Sequence, residues 1–284
     1  MRAPLRPMTA VLLALLTAVT YGLANYLGPL LTRSHPLAGV LLVGQTVGVA
    51  LAGALLVLTG GGLPDRGHLL LGVLAGVCNG IALSTVYTAA AAGPMSIVVP
   101  IGATGAAVPV AVALSTGERP SLLQLVGIPL AVAGVVLAAS RGSGGQQAAP
   151  RTIALAVLSA VFFGGFLTLF GAASDDGPAW AVFSSRASLV ACTVAVVVGR
   201  GLPWRVPGRV LPALAVPGVL LLVGTAAYGE ASTRGLVSVV AVLATLAPVV
   251  TVGLAVVVLG ERLAARQQLG VATALVGVVL LAAG

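Results

Sequence analysis

Long apolar stretches alternate with short polar breaks along the whole chain. The breaks fall where glycine, proline and charge cluster, at 33–36, 60–68, 117–119, 140–151, 174–178 and 199–209. The stretches between them approach the roughly 20 residues that a helix needs to cross about 30 Å of hydrocarbon. They predict ten transmembrane helices, over 8–31, 37–59, 69–92, 95–115, 121–139, 152–173, 178–199, 210–231, 236–258 and 264–283. The first carries Arg2 and Arg6 ahead of an apolar run, as a signal peptide does. The run is too long for one, and further spans follow it directly. Trp180 and Trp204 bracket the seventh span, where an interfacial aromatic belt would place them.

The longest polar stretch, 140–151, is rich in Gly and Gln and reads as a flexible linker. It divides the spans five and five, and the two sides match. Gly117-Glu118-Arg119 recurs as Gly260-Glu261-Arg262, followed in register by Gln124 and Gln267, Gly127 and Gly270, and Gly134 and Gly277. Upstream, Leu16, Ala18, Val19 and Gly22 meet Leu158, Ala160, Val161 and Gly164, and Gly93 and Ser96 meet Gly235 and Ser238. The expected organisation is a first five-helix repeat over 1–139, a linker over 140–151 and a second repeat over 152–284. Five is odd, so the second repeat enters the membrane from the opposite side. The predicted fold is therefore an all-α integral membrane protein of ten transmembrane helices arranged as two inverted five-helix repeats. Inverted halves can exchange conformations and open a midplane site to alternate sides.

Composition agrees with this pattern. Of 284 residues, 59% are hydrophobic and 7% charged, and the mean hydropathy is +1.15. A soluble domain carries about 25% charged residues. The net charge of +8 comes from arginine, since lysine is absent. These arginines sit mostly between apolar runs, where headgroups would anchor them, so nucleic acid is not an expected partner. Cys78 and Cys192 lie in apolar runs without a second ligand at metal spacing and read as packing residues.

The ten spans, the duplication and the Gly-Glu-Arg followed by a Gln and spaced glycines near each half's end resemble the EamA family of the drug/metabolite transporter superfamily. The resemblance rests on Tyr21-Gly22 and Phe163-Gly164, on Gly93 and Gly235, and on Gly117-Glu118-Arg119 and Gly260-Glu261-Arg262. It implies a transporter of small organic solutes such as amino acids or other metabolites, with both termini cytoplasmic in a plasma (inner) membrane.

Arg186 is the outlier among the candidate residues. It lies near the middle of the seventh span, where insertion costs about 2.5–3.5 kcal/mol, so it needs a polar partner or a wet cavity. One reading is a guanidinium that grips a solute carboxylate or phosphate; the other is a structural pair with another helix. Asn25, Gln45 and Asn79 cannot face lipid cheaply. With Tyr21, Tyr87 and Tyr228 they are the candidate cavity-lining groups, and helix–helix glue is the competing explanation. Glu230, at the end of the eighth span with Arg234 one turn on, reads as an interfacial ion pair or as a proton-coupling carboxylate. Gly117, Glu118, Gly260 and Glu261 are read as structural: each glutamate is expected to serve amide groups at the start of the following helix and to pair with a nearby arginine.

Enzyme readings fare badly. His35 and His68 both lie in loops, so no histidine at membrane depth could activate a nucleophile. No metal ligand set and no cofactor is expected. The expected partners are a small-molecule solute and the lipid bilayer, with a homodimer left open. The function expected is a secondary active permease or exporter. The alternatives are a lipophilic-cation exporter of the same fold, which would need Glu230, and a non-transporting membrane scaffold. Orientation is contested. Taken in turn, the spans put Arg2, Arg6, Arg66, Arg119 and Arg234 on the side of the N-terminus. Arg33, Arg141, Arg151, Arg200, Arg205, Arg209, Arg262 and Arg266 fall on the other. Counting favours an external N-terminus, whereas the first span and the resemblance favour an internal one.

Overall fold

The computed structural model describes residues 7–32, 34–59, 62–92, 98, 101–102, 104–139, 149–250 and 265–283. Ten α-helices lie among them: α1 Pro7–Thr32, α2 Leu37–Thr59, α3 Arg66–Ala92, α4 Ala107–Ser115, α5 Leu122–Ala139, α6 Pro150–Ser174, α7 Pro178–Arg200, α8 Leu211–Ser232, α9 Val237–Ala244 and α10 Ala265–Ala283. Local chemistry sets several of the ends. Pro150 and Pro178 open α6 and α7, where a missing amide proton costs nothing. Gly201 closes α7 in the left-handed conformation (φ 59°) that a side chain resists. A reciprocal cap starts α5: the Ser121 amide donates to Gln124 Oε1 (2.9 Å) and the Gln124 amide to Ser121 Oγ (3.2 Å).

Six of the helical stretches are long and apolar enough to cross a membrane: Met8–Thr32, Leu37–Leu58, Arg66–Ala89, Pro150–Ser174, Pro178–Arg200 and Gly208–Ser232. Four shorter apolar stretches, Thr104–Ser115, Leu122–Leu137, Val237–Val250 and Gln268–Leu281, complete the set. In each half, the described fourth stretch is interrupted. A tight 3-10 turn at Thr104–Ala106 precedes α4. After α9, a turn at Thr245 and Leu246 breaks the helix before it resumes over 247–250, where Pro248 has no amide proton to extend the hydrogen-bond ladder.

Most of the extensive packing joins a helix of the first half to one of the second. α5 lies along α10, α1 along α8, α3 along α6, and α3 and α2 against α7, while α2 also meets α8. Exchanging each helix for the one five places later converts this set of partners into itself. The α1–α8 pair becomes α6–α3, α2–α8 becomes α7–α3, and α1–α9 becomes α6–α4. The halves are thus interleaved, not two bundles side by side.

Small residues permit this closeness. At the α5–α10 crossing, a methyl on Gly277 would meet the Cα of Ala131 at 2.7 Å, and one on Gly134 the Cα of Ala274 at 2.6 Å. The two Tyr/Phe-Gly pairs singled out in the sequence sit against the interrupted stretches. A methyl on Gly22 of α1 would reach Ala247 O at 2.7 Å, and one on Gly164 of α6 would run into Gly105 O and reach Val108 Cβ at 2.6 Å. Gly93, Gly260 and Glu261 lie outside the described residues.

Candidate functional site

Arg186 projects from α7 into the bundle and is 1% exposed. Its first terminal nitrogen donates to Gln45 Oε1 on α2 at 2.6 Å. Its second donates to the Leu221 carbonyl on α8 at 2.6 Å and to Thr225 Oγ1. The Tyr21 hydroxyl on α1 lies 2.9 Å from that same Thr225 oxygen. Four helices therefore converge on one guanidinium: α1, α2, α7 and α8. Gly48 of α2 leaves room beside it, since a methyl there would come only to within 3.9 Å of Arg186 Cδ.

Every acceptor in this cluster is neutral. No salt bridge of Arg186 occurs among the described residues, whose ion pairs involve His68 and Arg234 only. Its Nε is buried without a hydrogen-bond partner. Hydrogen bonds to charged groups are worth about 1.5–3 kcal/mol each, so the three acceptors offset much of the desolvation cost and hold the fork in place. They do not cancel its charge. A guanidinium best matches a planar or tetrahedral anion, and none of these three acceptors carries charge.

The other sequence candidates are dispersed. Asn79 is buried on α3, but no hydrogen bond joins it to the cluster. Tyr87 is buried on α3 with its hydroxyl against Gly28 of α1, among Leu41, Leu83 and Leu189. Tyr228 is fully buried on α8, donates to the Leu167 carbonyl at 3.0 Å and packs on Phe170. Tyr87 and Tyr228 therefore occupy counterpart positions at the α3–α1 and α8–α6 interfaces. Asn25 is exposed on α1. Glu230, five residues beyond Thr225, accepts from Arg234 Nε at 2.8 Å in a partly exposed pair. Thr225 and the Leu221 carbonyl escaped the sequence reading. Thr225 Oγ1 also bonds the carbonyl four residues back (2.7 Å), as threonines in apolar helices commonly do, so nothing in the pattern distinguishes it.

Glu118 does a different job from the one its position suggested. Its carboxylate accepts from the amides of Val237 (2.6 Å) and Ser238 (3.0 Å), capping α9 of the other half and not α5, which Ser121 already caps. No arginine pairs with it among the described residues. A second polar contact lies on the same face. Asp176 Oδ2, in the α6–α7 turn, accepts the Asp65 amide (2.6 Å), and His68 Nδ1 stands 3.8 Å from both Asp65 and Asp176. Partial burial pushes the neighbouring Asp175 carboxyl above its ordinary range, with His68 pulling the other way.

The profile of the EamA-like transporter family matches residues 150–283. A solved crystal structure shares the fold over 96% of both chains, with a TM-score of 0.78 at 16% identity. The chain belongs to the EamA-like transporter family. An uncharacterized protein of Methanocaldococcus jannaschii is 31% identical over 136 residues, which make up 45% of this chain and 95% of that one. That relative is about half as long as the present EamA-like chain, the length of one set of five helices. The matched profile spans α6 to α10, so it includes Arg186 and Thr225, while Gln45 and Tyr21 come from the half it does not reach.

Proposed function

We propose that this chain is a secondary transporter that carries a small organic solute bearing an anionic group, with Arg186 as the contact for that group. The observation that carries the reading is a fully buried guanidinium held only by neutral acceptors, with its Nε unpartnered. The exchange of packing partners between helices five apart supports an inverted-repeat, alternating-access mechanism. The packing also suggests which parts move. α1, α2, α8 and α9 form one group and α3, α4, α6 and α7 its counterpart, so each moving body mixes helices from both halves. Arg186 belongs to the second group, and its acceptors on α2 and α8 belong to the first. Without solute, the guanidinium draws the two groups together. A bound anion would compete with Gln45 Oε1 and the Leu221 carbonyl for its N–H groups and thereby alter the seam between them.

The test is thermal stability of the purified protein against carboxylates, phosphorylated metabolites and lipophilic cations. A ligand at 100 times its Kd adds roughly 2.7 kcal/mol of apparent stability. Stabilisation by an anion in the wild type, lost in Arg186→Lys, is the expected result; lysine keeps the charge but not the fork. Stabilisation by cations that survives the substitution would overturn the reading and favour a cation exporter.

A further inference from the structure

The two faces of the bundle differ in charge. Contacts define the faces independently of sequence order. Glu118 reaches the start of α9, Asp65 meets Asp176, and Gly235 sits against Ala10 near the start of α1, so the N-terminal end of α1 shares its face with these turns. Asp65, Glu118, Asp175, Asp176 and Glu230 are all on this face, with Arg66, Arg119 and Arg234. The opposite face carries Arg151, Arg200, Arg205, Arg209 and Arg266, every one exposed, and no acid among the described residues. None of these five arginines makes an ion pair among the described residues.

Arg200 ends α7, and Arg205 and Arg209 lie on the connection from α7 to α8, around Trp204, which is 52% exposed. This connection does not hang free. A methyl on Gly39, near the start of α2, would meet Trp204 O at 2.5 Å and Val206 Cγ1 at 2.7 Å, so the backbone is seated on the bundle while Trp204 and the three arginines are exposed. The counterpart connection on the other face, between α2 and α3, has Leu58, Leu63 and Gly67 at the positions equivalent to Arg200, Arg205 and Arg209. The repeat therefore does not require the arginines. An exposed tryptophan among unpaired guanidiniums, at the end of apolar spans, combines an interfacial anchor with bidentate phosphate donors.

We infer that this face, centred on Arg200, Trp204, Arg205 and Arg209, is a binding surface for anionic phospholipid headgroups. Two measurements on the full chain test it. In a Trp180→Phe background, brominated phosphatidylglycerol is expected to quench Trp204 at least about twofold more than brominated phosphatidylcholine, with the excess shrinking in high salt as screening predicts. Equal quenching by the two lipids overturns the inference. In detergent, phosphatidylglycerol is expected to raise the melting temperature of the wild type and of Arg66→Gln/Arg119→Gln. The triple variant Arg200→Gln/Arg205→Gln/Arg209→Gln is expected to lose most of that rise. An equal rise with inorganic phosphate would mean a free anion suffices, and the lipid assignment fails. A rise retained in the triple variant overturns it as well. Because the quenching arm needs no arginine substitution, it decides the matter even where the triple variant does not fold.

Discussion

At the scale of single residues, the cluster around Arg186 sets a buried charge against neutral acceptors. Gln45→Leu removes one acceptor and leaves a guanidinium N–H unpaired in the interior, which should cost about 1–3 kcal/mol. Melting of the purified variant checks this, and a loss below a few tenths would mean that Gln45 is not a needed partner. Asp175 offers a pH-dependent case. Its carboxyl binds a proton more tightly in the folded protein than in the unfolded chain, so its contribution to stability is most favourable at low pH and falls as pH rises through the raised value. Asp175→Asn should therefore melt higher than wild type at neutral pH, with the gap closing as the pH drops below the ordinary aspartate range. A gap that widens on acidification would contradict the sign. Arg186 and Gln45 were legible as polar groups stranded in apolar spans. Thr225 was not, because a threonine that satisfies itself on its own helix looks the same whether or not a second helix uses its oxygen. Asn25 shows the converse: an amide in an apolar run that packing leaves on the outside.

At the scale of elements, the recurring Gly-Glu-Arg announced a structural duty, and for Glu118 that duty is a link between halves. Glu118 serves as a charged cap on the amides of α9, an N-terminus with no cap from its own residues, since Leu236 precedes it. Glu118→Gln keeps the shape but weakens the charge-assisted bonds, and Glu118→Ala removes them, at about 0.5–2 kcal/mol for a lost cap. Hydrogen exchange at the Val237 and Ser238 amides should accelerate in both variants, more so in the alanine one. Unchanged exchange at those two amides would show that the cap does not protect them. The sequence could mark the residue but not the helix it serves, because the partner lies 119 positions away. The glycines of α5 and α10 were more readable. Gly134 and Gly277 recur in register, and each meets the opposite backbone near Ala274 or Ala131. Gly277→Leu would force the crossing apart, with an overpacking cost of about 1–3 kcal/mol or more, visible as a lower melting temperature. The outer faces of these two helices, including Leu122, Val126, Leu269 and Val276, are exposed in the single chain and should tolerate apolar exchange.

At the scale of the molecule, the matching residues led to the expectation of two repeats, but they gave no sign of the interleaving. Matching residues reveal that two segments share a fold; they carry no information on whether each half packs on itself or on the other. Among the described residues α5 and α10 are a pair apart, in contact chiefly with each other, and the proposed division into two four-helix groups runs through the α2–α7 contact. This division yields opposite outcomes for two covalent bridges in a Cys78→Ala/Cys192→Ala background. A cysteine at Gly127 would place its Cβ 3.1 Å from the Cβ of residue 280, so Gly127→Cys/Leu280→Cys can be joined across α5 and α10. Gly53 and Phe183 face each other across α2 and α7, with a Cβ at Gly53 lying 3.4 Å from the Phe183 ring, so Gly53→Cys/Phe183→Cys can be joined by a short thiol-reactive bridge. Uptake into proteoliposomes of an anion that stabilises the protein is then the readout. If the two groups move against each other, the first bridge leaves uptake near the unbridged rate and the second abolishes it, reversibly on reduction where the bridge is a cleavable disulfide reagent. If instead one half rocks against the other, both bridges cross the moving boundary, and both stop transport.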